Sequence, residues 1–216
     1  MNKETLKLYL VTDRDLSLGR SLEEVVCEAV AGGVTMVQLR EKDAATGEFI
    51  ELGRRLMAVL KPLGVPLIIN DRVDVALAID ADGVHIGQSD MPYEDARRLL
   101  GSDKIIGLSV ENMQDLLKAN ELDVDYVGIS PVYGTPTKTD TAEPFGLDGL
   151  RKAAELSVHP VVAIGGMNRD TAGDVIAAGA DGVAVVSAIC SADSPRSAAK
   201  ELLGIIDEEM ECRYGR

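Results

Sequence analysis

The most restrictive feature of this sequence is an alternation between two kinds of segment that occurs eight times along the chain. Short apolar runs rich in Val and Ile alternate with longer segments of helical periodicity, and each pair occupies about 25 residues. The pattern predicts strands at residues 6–12, 34–39, 66–70, 83–86, 105–109, 126–130, 161–164 and 183–187. It predicts helices at residues 22–31, 47–60, 73–78, 94–100, 114–119, 147–156, 171–178 and 197–208. Eight such units favour a closed parallel (β/α)8 barrel of the α/β class, the TIM barrel, over an open doubly wound sheet.

No change in composition and no low-complexity linker divides the chain, so we interpret residues 1–216 as a single domain whose tail, residues 211–216, frays.

The formal net charge of −14 makes nucleic acids and anionic membranes unfavourable partners, because the field of the whole protein repels them. Three widely separated cysteines form no Cys-x-x-Cys motif and indicate reduced thiols in a cytoplasmic protein. No apolar run approaches the roughly 20 residues that cross a bilayer. The sequence leaves open whether the protein forms a homo-oligomer.

Gln38, Arg40 and Lys42 stand at alternate positions where the second predicted strand ends. Alternate residues of a strand share one face, and Met36 on the same face indicates that this face turns toward the core. Burying such groups without partners costs several kcal/mol each, so we expect an anion to meet them. Arg40 and Lys42 can bind phosphate oxygens, and Gln38 can donate and accept at the edge of a heterocycle. The alternative is that the two cations only pair with neighbouring acidic residues or an outer helix.

Asp71 and Asp90 each follow one of two consecutive predicted strands. The carboxyl ends of barrel strands meet at the face where active sites of this fold form, so we expect the two carboxylates to lie close together. Such a pair can hold a Mg²⁺ ion that also binds phosphate oxygens of a substrate. The alternative is that each aspartate caps a helix, because the residues that follow it are typical of a helix start.

The loop at residues 130–139 follows the sixth predicted strand and is long enough to fold over a site. Thr135, Thr137 and the backbone amides of this loop can bind a carboxylate or a hydroxyl group, and Lys138 adds a third cation. The alternative is a solvated turn that contains two prolines.

Two short segments after the seventh and eighth strands have the pattern of a phosphate site. They contain Gly165-Gly166 and Val186-Ser187. Glycines let backbone N–H groups approach a phosphate, and this fold recurrently builds phosphate sites from these two loops. The pattern indicates a phosphorylated ligand without identifying a reaction.

Two polar residues within predicted strands have no clear chemical partner in the sequence. Ser109 ends the fifth strand, and with no base beside it we interpret it as a hydrogen-bonding group rather than a nucleophile. His85 lies in the fourth strand, where a buried histidine satisfied by hydrogen bonds is favoured over a general base.

Taken together, these clusters resemble the thiamine-phosphate synthase family, also called thiamine-phosphate pyrophosphorylase, and the similarity extends from residue 8 to residue 189. The motifs that carry it are Gln38-Leu39-Arg40-Glu41-Lys42, Ile69-Asn70-Asp71, His85-Ile86-Gly87-Gln88 with Asp90, Gly107-Leu108-Ser109, Thr135-Pro136-Thr137-Lys138 and Ala163-Ile164-Gly165-Gly166. The segment at residues 130–134 departs from the family, in which many members have Gly-Pro and a Phe-Pro pair. This departure concerns packing on the thiazole side of the expected site.

The resemblance implies a transferase with two small phosphorylated heterocyclic substrates and Mg²⁺ as its cofactor. A hydroxymethylpyrimidine diphosphate is expected on Gln38, Leu39, Arg40, Glu41, Lys42, Asn70, Ser109 and Lys138. A thiazole phosphate is expected on Thr135, Pro136, Thr137, Gly166, Val186 and Ser187. Asp71 and Asp90 match the Mg²⁺ ligands of the family. The implied catalytic residues are Arg40, Lys42, Ser109 and Lys138.

The implied reaction is a dissociative substitution that joins the two heterocycles and releases pyrophosphate. One alternative is a related barrel that aromatises the thiazole phosphate, a tautomerase that needs an acid/base residue but neither Lys138 nor the pair of aspartates. Other phosphate-binding barrels would lack the motif at residues 38–42. A non-catalytic regulator of the same fold is expected to have lost a cation or an acid, and this sequence retains them all.

Overall fold

The computed structural model describes residues 2–134 and 143–215. Eight parallel strands pair in chain order, and the last pairs with the first, so the sheet closes into a barrel. They are β1 (Leu8–Val11), β2 (Met36–Leu39), β3 (Leu67–Asn70), β4 (Gly83–Ile86), β5 (Ile105–Val110), β6 (Tyr126–Ile129), β7 (Val161–Ile164) and β8 (Gly182–Val185). The predicted (β/α)8 barrel is confirmed, and the predicted strands agree with these bounds to within two residues at each end.

Helices surround the barrel and cover its outer face. Those of the described residues are α1 (Leu22–Ala31), α2 (Thr46–Leu60), α3 (Val73–Ile79), α4 (Tyr93–Leu100), α5 (Met113–Ala119), α6 (Gly146–Leu156), α7 (Ala172–Ala177), α8 (Ser187–Cys190) and α9 (Pro195–Tyr214). The short α8 was not predicted. Helix α9 continues to Tyr214 and thus includes residues 211–214 of the tail that is expected to fray, an expectation that stays a prediction. Near its end, the Arg213 guanidinium donates a hydrogen bond of 2.9 Å to the backbone oxygen of Ala180.

The strand residues alternate between two apolar layers. The layer inside the barrel contains Leu6, Tyr9, Val11, Met36, Ile68, Tyr126, Val162 and Ala184. The larger layer lies between the barrel and the helices and includes Val37 and Leu39. Because Met36 belongs to the inner layer, the alternation directs the side chain of Gln38, two residues further on, into the barrel at the carboxyl end of β2.

Two further expectations from the sequence can be compared with the fold. Cys27, Cys190 and Cys212 are all free thiols, as their spacing indicated. Among the helices of residues 2–134 and 143–215, none combines the length and the apolar character that crossing a membrane requires.

Candidate active site

A cavity of about 980 Å³ opens at the carboxyl ends of the strands, where active sites of this fold form. All eight strands contribute lining residues from their ends or from the loops directly after them. The residues that the sequence singled out and that line this cavity are Gln38, Arg40, Lys42, Asn70, Asp71, His85, Asp90, Ser109, Gly165, Gly166, Val186 and Ser187. The structure therefore brings together the cationic strand end, the two acids and the glycine-rich loops.

The end of β2 directs two cations into this cavity. The Arg40 guanidinium lies 4.0 Å from a carboxylate oxygen of Asp13, a long contact, and the backbone N–H of Arg40 donates to Thr12 Oγ1 at 3.1 Å. Lys42 lines the cavity and forms no ion pair within the part of the chain that the structure describes. The alternative raised from the sequence, pairing with acidic residues, therefore finds only the long Arg40–Asp13 contact among the described residues.

Leu39 and Glu41 alternate with these cations and point the other way. Leu39 is fully buried in the layer between the barrel and the helices. The Glu41 side chain is only 7% exposed and accepts a hydrogen bond of 3.0 Å from Arg14. Neither residue lines the cavity, so the structure does not bring their side chains to the predicted pyrimidine site.

Asp71 and Asp90 form a pair of carboxyl groups within hydrogen-bonding reach of each other. Burial, together with the hydrogen bond and charge of Asp90, raises the pKa of Asp71 to about 6. Asp71 has a left-handed backbone with φ of 62°, and Asp90 accepts a hydrogen bond of 2.7 Å from the backbone N–H of Gly87. Two carboxyl groups held this close together are a donor set that a divalent cation fits.

Neither aspartate caps a helix. The residue before α3 is Arg72, and the residue before α4 is Pro92. The capping alternative for Asp71 and Asp90 is therefore wrong. Among the described residues, no group of three or more His, Cys, Asp or Glu side chains is arranged to hold a metal ion, so the described residues offer two carboxylates rather than a complete ligand set.

A line of hydrogen bonds crosses the interior of the barrel beneath the cavity. Gln38 Nε2 donates to the Tyr9 hydroxyl at 2.7 Å, which lies 2.9 Å from the Tyr126 hydroxyl. His85 Nδ1 lies 2.9 Å from the Tyr126 hydroxyl, and His85 Nε2 lies 2.9 Å from Ser109 Oγ. We call these five side chains the interior network. The expectation of a buried, hydrogen-bonded His85 is confirmed.

The sequence reasoning missed Tyr9 and Tyr126. The sequence showed only that each tyrosine lies in a predicted strand, and the fold adds that Tyr9 pairs in register with the inward-facing Met36. A tyrosine hydroxyl buried inside a barrel requires a hydrogen-bond partner, which points to other polar groups on the same face.

The loops after β7 and β8 form the opposite side of the cavity. Gly165 and Gly166 have φ of 94° and 72°, which favour glycine. A side chain at either position would meet Pro131 or Tyr133 at 2.7 Å, so the backbone packs closely against the loop after β6. Gly166, Val186 and Ser187 all line the cavity at this side, as the predicted phosphate site requires.

Four predicted site residues, Thr135, Pro136, Thr137 and Lys138, lie outside the described residues. The described start of the same loop does reach the cavity, because Ser130, Tyr133 and Gly134 line it. The assignments for the four remain predictions.

The comparisons with known proteins agree on one family. A family model described as thiamine monophosphate synthase matches residues 8–189. The chain belongs to this family. Among similar curated proteins, "Thiamine-phosphate synthase" of Albidiferax ferrireducens is 53% identical over 204 residues, which cover 94% of this chain and 93% of that protein. The protein of the same name from Vibrio campbellii is 52% identical over 93% of this chain and 98% of its own.

Solved structures support the family and the fold separately. A thiamine phosphate pyrophosphorylase from Pyrococcus furiosus has a TM-score of 0.89 and 42% identity, and the match covers 96% of this chain and 98% of that one. A 3-hexulose-6-phosphate synthase has a TM-score of 0.69 at 20% identity, a likeness that shows the shared barrel alone. Membership of the thiamine monophosphate synthase family thus rests on sequence identity along nearly the whole chain.

Proposed function

We propose that the protein is a thiamine-phosphate synthase. Its substrates would be 4-amino-2-methyl-5-(diphosphooxymethyl)pyrimidine and 4-methyl-5-(2-phosphoethyl)thiazole, or the carboxylated form of the latter, and its products thiamine phosphate and pyrophosphate. The observation that carries the proposal is the meeting of Arg40 and Lys42 with the Asp71–Asp90 pair in one cavity of a member of this family. In a chain with a net charge of −14, an anionic substrate needs local cations or a divalent metal ion, and this cavity offers two cations together with two carboxyl groups that could hold such an ion.

Arg40 and Lys42 would bind the diphosphate of the pyrimidine substrate. The guanidinium can form two parallel hydrogen bonds to phosphate oxygens, while the ammonium acts as a mobile charge. Both cations stabilise the diphosphate more strongly as it takes the electron pair of the breaking C–O bond, so they favour the transition state over the bound substrate.

Asp71 and Asp90 are the residues that would hold Mg²⁺. Two carboxylates suffice, because Mg²⁺ keeps several waters and completes its coordination with substrate phosphate oxygens. When bound, the ion would neutralise charge on the departing diphosphate. Because burial and Asp90 raise the pKa of Asp71 to about 6, binding of the cation at a pH below that value would release the proton that this carboxyl group carries.

Gln38 and Ser109 would orient the pyrimidine ring, while Gly166, Val186 and Ser187 would hold the phosphate of the thiazole on the opposite side of the cavity. Electron release from the ring and its amino group stabilises the cation that remains on the methylene carbon, and the thiazole nitrogen then attacks that carbon. Alignment of two bound rings replaces a bimolecular encounter, and the step needs no general base.

The proposal is tested by mixing the purified protein with both substrates and Mg²⁺ and following pyrophosphate and thiamine phosphate. We expect the two products in equal amounts and a loss of product in chelator. Absence of product, or product that a chelator leaves unchanged, would contradict the proposal as stated.

We also propose a cytoplasmic location, which the three free thiols support.

A further inference from the structure

The interior network connects two residues that face the cavity through three that lie beneath it. Gln38 and Ser109 are its ends, and Tyr9, Tyr126 and His85 join them by bonds of 2.7–2.9 Å. Both tyrosines are fully buried, and His85 is 5% exposed. The members come from five separate strands, so the network spans the barrel rather than one local turn.

The packing around the network fixes its rings. The Tyr9 and Tyr126 rings meet edge to face with centroids 5.9 Å apart, and the His85 ring stacks on Tyr126 at 5.5 Å. Two glycines leave the space that these rings fill: a methyl group at Gly107 would overlap the Tyr126 ring, and one at Gly128 would lie 3.2 Å from His85 Cε1. The hydroxyl and imidazole groups therefore hold one orientation.

Hydrogen-bond donation in the network has a direction. Gln38 donates to Tyr9, so Tyr9 satisfies its own buried proton by donating to Tyr126. Tyr126 accepts from Tyr9 in this order, so its own proton is assigned to the bond with His85 Nδ1, and the tautomer that follows has Nε2 of His85 protonated and donating to Ser109 Oγ. Burial raises the pKa of both tyrosines well above the usual range, so each hydroxyl keeps the proton that this order requires. Reversing the Tyr9–Tyr126 bond would leave a buried O–H group without an acceptor.

We propose that Tyr9, Tyr126 and His85 are positioning residues that fix which hydrogen-bonding atoms Gln38 and Ser109 present to the cavity. Gln38 turns its Nε2 toward Tyr9 and thereby presents its carbonyl oxygen. Ser109 accepts from His85 and thereby presents its proton. This inference rests on the proposed function, because it describes how the site selects the ring of the pyrimidine substrate.

The fixed pattern matches one kind of ring. An acceptor on Gln38 and a donor on Ser109 suit a ligand that carries an amino group and an unprotonated ring nitrogen, as a 4-aminopyrimidine does. A 4-oxopyrimidine presents the opposite pattern, a carbonyl and a ring N–H. A free glutamine side chain could rotate its amide to accept either ring, whereas one bonded to Tyr9 cannot do so without losing that bond.

The first test compares the binding of two ligands, the 4-aminopyrimidine diphosphate and its 4-oxo analogue, by calorimetry with Mg²⁺ and without the thiazole. We expect the wild-type protein to bind the amino ligand about 100-fold more tightly, and Tyr9→Phe to reduce this preference about 10-fold by freeing the amide of Gln38. The matched control is Tyr93→Phe, which removes a hydroxyl that donates to the Asp123 carbonyl outside the cavity. It should leave the preference within about 2-fold.

The preference for the amino ligand is the ratio of two dissociation constants that are measured on the same preparation. A fraction of unfolded protein in that preparation therefore does not change the ratio. An unchanged ratio in Tyr9→Phe would overturn the role of the network. Failure of the wild-type protein to bind the amino ligand would instead overturn the proposed function.

A second test needs no ligand. The ¹⁵N NMR spectrum of the wild-type protein at pH 8 should show His85 with Nε2 protonated and Nδ1 unprotonated, and Tyr126→Phe should yield a mixture of the two tautomers. The other of the two histidines, His159, is an internal reference because its Nε2 faces the Ala119 carbonyl at 3.0 Å. A wild-type His85 protonated at Nδ1 would reverse the direction of the network and overturn the inference.

Discussion

When no cation is bound, the ionised Asp71 side chain lowers the free energy of unfolding. Its pKa is about 6 in the folded protein against 3.8 for an ordinary aspartate, mainly because of burial and then because of Asp90. A raised carboxyl pKa means that the folded state binds more protons than the unfolded state, so its stability falls as the pH rises between these two values. Asp71→Asn removes the charge, and asparagine tolerates a left-handed backbone.

We therefore expect Asp71→Asn to be more stable than the wild-type protein in chelator at pH 8, by about 1 kcal/mol after allowance for solvent screening, and to lose this advantage near pH 4. Thermal unfolding at the two pH values measures the difference. Asp74→Asn is the control with the opposite sign, because the hydrogen bond from Arg72 lowers the pKa of Asp74. A less stable Asp71→Asn protein at pH 8 would mean that the carboxylate has a structural role.

Lys42 allows a separate prediction for the diphosphate site. Lys42→Ala should raise the KM for the pyrimidine diphosphate about 10- to 100-fold, because a charge-assisted contact is lost, and leave the KM for the thiazole phosphate nearly unchanged. Lys118→Ala removes the same charge from the exposed face of α5 and is the matched control. Steady-state kinetics with each substrate varied in turn provides the measurement. Equal increases in both KM values would contradict a site specific for the diphosphate.

The predicted site residues show where sequence reasoning succeeds at the scale of single residues. The period of two along β2 was sufficient to orient Gln38, and Arg40 and Lys42, which follow the strand, line the same cavity. The two tyrosines of the interior network were missed because an apolar run containing Tyr looks like core. The partners of their hydroxyl groups are 29, 41 and 117 residues away in sequence, so no local pattern reveals these partners.

At the scale of elements, two glycines in regular structure have opposite roles. Gly107 lies in β5 against the Tyr126 ring, whereas Gly204 lies in α9 with no atom near the position that a Cβ would take. Gly107→Ala should lower the free energy of unfolding by about 1–3 kcal/mol through overpacking, and Gly204→Ala should raise it by about 0.5–1 kcal/mol through helix propensity. Urea unfolding measures both changes. A neutral Gly107→Ala would mean that the interior rings can move aside.

The element bounds were predicted best where an apolar pattern changes abruptly and worst where charge obscures it. Strands β4 and β7 agree with the prediction at both ends. Helix α9 was predicted to end at residue 208, because the following residues are mostly charged or small. In the fold this end of the helix is held by a contact to Ala180, and a tertiary contact of this kind leaves no sequence signal.

At the scale of the whole molecule, the barrel could be predicted because eight repeats of one unit leave few topologies. Closure itself is a property of the complete set of strand pairs, in which β8 meets β1 across nearly the full length of the chain. The cavity volume and the line of hydrogen bonds beneath it depend on the same closure. They could not be predicted from any segment, since each of them joins residues from several strands.

The net charge of −14 allows a prediction for the molecule as a whole. Surface ion pairs such as Arg54–Glu51 and Arg98–Asp95 are exposed and contribute little, so repulsion among the excess carboxylates dominates. Raising NaCl from 10 to 200 mM at pH 8 in chelator shortens the screening length and should raise the Tm by about 2–4 °C. KCl at the same ionic strength should give the same increase, because screening does not depend on the identity of a monovalent ion. A Tm that falls with added salt would show instead that the surface ion pairs outweigh the repulsion.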